Sequence, residues 1–103
     1  LAERPATRFL EGPAEKALVR LADEGARIAT LVLDPPRAGF KEGLDLLPAL
    51  GVEAVIYQSC DGATFARDAK QLARSGFALA ALHLFDFFPQ SYHAESLALF
   101  CRR

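Results

Sequence analysis

Two short stretches hold side chains suited to covalent and proton chemistry, Ser59-Cys60-Asp61-Gly62 and His93-Ala94-Glu95. Cys60 stands where an apolar run ends and a helical pattern begins. Backbone N–H groups and the positive end of that helix stabilise a thiolate there, the form that attacks electron-poor carbon. The same position equally suits a cysteine packed as a small apolar residue. His93 and Glu95 lie two apart, so an extended backbone turns both to one side, where either suits proton transfer or simply meets solvent. Asp34 precedes Pro35, Pro36 and Arg37, and the stiff Pro-Pro backbone holds its carboxylate ready to orient a polar ligand. Arg67 and Asp68, in the helical pattern after Cys60, either pair across to that loop or lie in solvent. Phe85, Phe87, Phe88 and Tyr92 surround Pro89, a cluster that suits stacking on a flipped base and suits equally well the plugging of a sheet end. Cys60, His83, His93 and Cys101 have no close ligand spacing, so no metal is expected.

The elements that position these residues follow from periodicity. Thr7–Leu10 reads as a short strand closed by Glu11-Gly12-Pro13. In Ala14–Glu24 the residues Ala14, Ala17, Leu18, Leu21 and Ala22 recur at helical spacing, with Gly25 as the stop. Ile28–Leu33 is apolar without alternation, the pattern of a strand covered on both faces. Gly43–Leu50 reads as a short helix and Glu53–Ser59 as a second buried strand. Ala63–Ser75 is a helix with Phe65, Ala69 and Leu72 inward and Arg67, Asp68 and Lys70 outward. Phe77–Phe85 and Ser96–Cys101 form a terminal strand pair, with Cys101 in the core, joined by Asp86–Glu95. Strands alternating with helices predict an α/β domain with a mainly parallel sheet and a C-terminal antiparallel pair. In such sheets ligands sit outside the carboxyl ends of the strands, where Asp34–Arg37, Ser59–Asp61 and the loop after Phe85 converge.

Composition narrows the classes. The chain has 103 residues, 51% of them hydrophobic and 24% charged, enough apolar surface for one small folded domain and too much for a disordered one. A net charge of -1 gives no global field to hold a polyanion, so contact with nucleic acid must rest on local geometry. No run approaches the length of a bilayer span, and two distant cysteines suit a reducing compartment, so a cytoplasmic protein with no membrane partner is expected. The chain opens at Leu1 and holds no methionine, as a piece of a longer protein would.

Asp34-Pro35-Pro36-Arg37-Ala38-Gly39, Ser59-Cys60-Asp61-Gly62-Ala63-Thr64-Phe65-Ala66-Arg67-Asp68 and the stretch from Asp86 to Glu95 together resemble the three C-terminal motifs of the S-adenosylmethionine-dependent RNA (uracil-5-)-methyltransferases of tRNA and 23S rRNA. The order matches, and the resemblance runs from about Thr7 to the C-terminus. It implies Cys60 as nucleophile, Glu95 as general base and Asp34 beside the methyl donor. Pro35, Pro36, Arg37, Ser59, Arg67 and His93 would bind substrate or shape the site. Gly62 stands where the family usually has proline, Phe87 where it has methionine and Ser91 where it has threonine, and no catalytic group is lost. No glycine-rich turn of the donor site is present, so residues 1–103 are expected to be the C-terminal half of a class I methyltransferase domain with a partial Rossmann-like fold. On that reading the donor site is incomplete, RNA is a partner of the longer parent, and the piece by itself is inactive. The strand at Ile28–Leu33 is then left with an apolar edge that drives self-association. A Cys60/His93 thiol hydrolase and a non-catalytic α/β interaction domain are the alternatives.

Overall fold

Pro13 holds an extended backbone (φ -62°, ψ 142°) that leads into the first helix, α1 (Ala14–Asp23), where Leu18 is buried and Leu21 and Ala22 pack beside the core. The chain continues through β1 (Thr30–Leu33), α2 (Lys41–Leu44), α3 (Leu47–Leu50), β2 (Ala54–Ser59), α4 (Gly62–Arg74), β3 (Phe77–Phe85) and β4 (Glu95–Arg102). The structure, a computed structural model, describes residues 9–35, 39–85 and 95–103, with the backbone alone at 41 and 42.

The single helix expected over Gly43–Leu50 is two short ones. Pro48 has no N–H for the carbonyl of Leu44, so the helix cannot run through it. The N–H of Leu46 turns instead to the carbonyl of Gly43 at 3.1 Å. Gly51 then ends α3 with a left-handed φ of 73°. Of the strand expected at Thr7–Leu10, Thr7 and Arg8 lie outside the described residues, while Phe9 and Leu10 are in no strand.

Among the described residues, four strands lie in the order β1-β2-β4-β3. β1 is parallel to β2, and β4 is antiparallel to both β2 and β3. Hence β1, β2 and β3 all point the same way, and β4 is inserted, reversed, between β2 and β3. Three of the four strands thus share one direction and the C-terminal pair is antiparallel, as the sequence predicts, in a mixed sheet.

The core lies on one side of that sheet. Leu33, Val55, Tyr57, Ala98 and Phe100 meet Leu18, Leu44, Leu47, Leu50 and Leu72 there, all buried. The opposite face carries Val32, 68% exposed, with Ile56, Ala81, Leu97 and Leu99 beside it. Coverage of both faces at Ile28–Leu33 is therefore not found among the described residues, and Ile28 and Ala29 precede the strand. The reason is handedness: β1 to β2 and β2 to β3 step in one direction, and right-handed crossovers then lay α2, α3 and α4 on one face.

Two side chains sit differently from expectation. Cys101 is half-buried, paired between Ala54 and Ala78 on the open face, and is outside the core. Asp68, expected outward, is fully buried, because Tyr57 and Phe40 donate hydrogen bonds to it from beneath.

Candidate active site

The carboxyl ends of β1, β2 and β3 and the amino end of β4 share one edge of the sheet, because β4 is the reversed strand. Asp34 follows β1, Cys60 follows β2, Phe85 ends β3 and Glu95 begins β4. The convergence expected from sequence is therefore found for these residues. Pro36, Arg37 and His93, with Phe87, Phe88 and Tyr92, lie outside the described residues.

Cys60 is half-buried in a turn pinned on both sides. The Ser59 hydroxyl donates to the carbonyl of Asp61 at 3.0 Å and accepts the Asp61 N–H at 3.1 Å, closing a loop across the cysteine. Asp61 then caps α4, its carboxylate accepting the N–H groups of Ala63 at 3.0 Å and Thr64 at 3.1 Å. A serine and an aspartate on either side of Cys60 thus fix its backbone.

Glu95 is half-buried beside Gln58, whose side-chain amide donates to Glu95 Oε1 at 3.4 Å. The two line a cleft of about 200 Å3 with Phe85, Ser96 and Leu97. Its polar end is this carboxylate and amide, and its walls are aromatic and aliphatic, a shape that suits a flat polar ring. A second cleft of about 420 Å3 holds Asp34, flanked by Glu15, Val32, Pro35 and Phe40. Another cleft, about 490 Å3, lies at the opposite edge between Arg27 and Arg102. Both arginines there donate to backbone carbonyls, of Ala49 and Val52, so that surface serves the chain's own backbone.

Behind the edge lies a polar cluster that joins three elements. Asp68 Oδ2 accepts the N–H of Phe40 at 2.9 Å and the hydroxyl of Tyr57. Its Oδ1 faces Arg67 Nη2 at 3.3 Å. Burial, and next the hydrogen bond and charge of Asp68, push the Tyr57 phenol well above its ordinary pKa, with the Arg67 charge partly offsetting them. Arg67 Nη2 also lies beside Gly39, in the loop after β1, one of the two arrangements that its position allows. Gln58, Tyr57 and Asp68 were not among the expected site residues. Asp68 had a signal: it falls three after Phe65 and four before Leu72, on the helix's apolar stripe.

A family model described as tRNA (Uracil-5-)-methyltransferase matches residues 15–103. The chain is 38% identical over 96 residues to the uncharacterized RNA methyltransferase FN1713 of Fusobacterium nucleatum subsp. nucleatum, covering 92% of this chain and 21% of that protein. It is 39% identical over 95 residues to the 23S rRNA (uracil(1939)-C(5))-methyltransferase RlmD of Vibrio cholerae serotype O1, covering 92% of this chain and 22% of that one. The chain thus spans about a fifth of the length of these curated relatives. The crystal structure of M1.HpyAVI shares the fold, with a TM-score of 0.71 at 14% identity over 91% of this chain and 54% of that chain.

Proposed function

The chain belongs to the tRNA (uracil-5-)-methyltransferase family, and from that premise we propose that it carries the nucleophile and the general base of an enzyme that methylates C5 of uracil in tRNA or rRNA. Cys60 is the nucleophile, Glu95 the base and Asp34 a donor-side carboxylate. The observation that carries this reading is the emergence of all three at one sheet edge, with Cys60 and Glu95 beyond the paired residues Ser59 and Ser96.

The chemistry requires both groups. C5 of uracil is a poor nucleophile until the Cys60 thiolate adds at C6, forming a C–S bond and moving an electron pair toward C5. Bound S-adenosylmethionine would supply an electrophilic methyl group for that carbon, the S–CH3 bond breaking so that its electron pair leaves with S-adenosylhomocysteine. Glu95 then takes the C5 proton, the C5–C6 double bond re-forms, and the C–S bond breaks to return the thiolate. The cleft at Asp34 fits such a donor: the Asp34 and Glu15 carboxylates suit a sulfonium cation, and Val32, Pro35 and Phe40 suit a flat ring.

Residues 1–103 are read as the C-terminal half of a class I methyltransferase domain in a cytoplasmic enzyme, with RNA bound by the longer parent. Among the described residues no helix is long and apolar enough to cross a membrane. In support of self-association, among the described residues β1 pairs only with β2 and ends the sheet. Two copies joined there would cover the β1 edge.

Covalent trapping tests the reaction. With RNA containing 5-fluorouridine, which has no C5 proton to lose, the full-length enzyme carrying this chain forms a stable RNA adduct. Cys60→Ala abolishes it. With ordinary RNA, Glu95→Gln accumulates a methylated adduct, and the absence of any adduct in that variant removes Glu95 from the base role.

A further inference from the structure

Asp68 is a buried carboxylate that the reaction above does not use. It is wholly inaccessible and sits on α4 between Phe65 and Leu72, which pack the same face against the core. Packing alone calls for an aliphatic side chain at such a position, since a buried carboxylate loses its hydration and needs donors to replace it.

The donors come from two other elements. One is the backbone N–H of Phe40, at 2.9 Å, in the loop that leaves β1 at Asp34 and enters α2. Another is the hydroxyl of Tyr57, three residues before Cys60 on β2. Gly39, next to Phe40, is pressed onto α4. Gly39 holds φ of 88°, and a Cβ there would overlap Arg67, Thr64 and Asp68.

We infer that Asp68 is a positioning residue that locks the Asp34 loop to the Cys60 strand and helix, so that donor-side and nucleophile-side groups keep one separation. The inference rests on the proposed reaction, in which Asp34 and Cys60 serve one substrate. Asp68 touches neither reactant. Its bond to the Phe40 N–H stops the loop from sliding along α4, and its bond to Tyr57 ties both to the strand that ends at the nucleophile.

The test compares Asp68→Leu with Asp68→Asn in the full-length enzyme carrying this chain. Leucine fills the space and keeps α4 packed, but accepts no hydrogen bond. Asparagine keeps one oxygen for Phe40 and Tyr57. Asp68→Leu is expected to stay folded but to melt lower, since it leaves the Tyr57 hydroxyl and the Phe40 N–H without their acceptor, to raise amide exchange at Phe40 by about tenfold or more relative to Val55, and to lower kcat about 10- to 100-fold with the KM for RNA unchanged. Asp68→Asn should restore the Phe40 protection and kcat. A folded Asp68→Leu enzyme with wild-type kcat overturns the inference, as does Phe40 protection that survives the leucine. An inactive wild-type enzyme in which leucine removes the protection and asparagine keeps it instead overturns the methyl-transfer reading and leaves the anchor standing.

Discussion

Ser59 lies directly opposite Ser96 in the antiparallel ladder of β2 and β4, with the Ser96 hydroxyl donating to the Ser59 carbonyl at 3.4 Å. One step beyond that pair the chain carries Cys60 on one side and Glu95 on the other. Strand register therefore sets which acid begins β4 beside the end of β2, and a slip of one residue would turn Glu95 to the other face of the sheet.

The Ser59 side chain is expected to matter more for the turn than for the ladder. Ser59→Ala removes both of its bonds to the Asp61 backbone and should destabilise the fold by about 1 to 2 kcal/mol. Urea unfolding measures this, and an unchanged midpoint would show that the turn holds without the hydroxyl.

Asp61 caps α4 through two N–H groups. Asp61→Ala should cost about 1 kcal/mol and Asp61→Asn only a few tenths, because asparagine keeps the accepting oxygen. Equal losses in the two variants would mean that charge, rather than the cap geometry, matters.

Stability should decline in alkali through Tyr57. Its phenol is raised above the ordinary value of 10, so the folded chain holds that proton more tightly than the unfolded one. Below about pH 10 both states are protonated and the contribution is whole. Above it the unfolded chain loses the proton first, and stability falls as pH rises. Tyr57→Phe should flatten this slope, as read from urea midpoints at about pH 8 and pH 11.

Substitutions in the covered core and on the exposed face of the sheet should differ in size. Leu72 is fully buried, so Leu72→Ala is expected to cost about 2 to 5 kcal/mol. Val32 is 68% exposed on the edge strand, so Val32→Lys should change stability by less than about 0.5 kcal/mol. The lysine should also reduce self-association, because a charge on an edge strand opposes pairing. Light scattering across dilution reads this, and a wild-type chain that stays monomeric would remove the edge-pairing proposal.

Much of this protein was legible because it is local. The apolar spacing of Leu18, Leu21 and Ala22, the β-branched runs before Asp34 and Ser59, and the helix after Asp61 each depend on neighbours within a turn or a strand. Asp34, Cys60 and Glu95 could be assigned to one edge from strand ends alone, given that the first strands run parallel. Pro48 is legible too, and it keeps α2 and α3 from joining into one helix. What only the tertiary structure decided is non-local. The insertion of β4 between β2 and β3 depends on ladder bonds between residues far apart in sequence. The bare face of Val32 and Leu97 follows from the direction in which the crossovers step. Cys101 reads as core only if that face is covered. Asp68 looked like a solvated acid beside Arg67, but its bonding partners lie 11 and 28 residues away at Tyr57 and Phe40. A polar group is buried when distant donors replace its water, and no periodicity within the helix reports where those donors are.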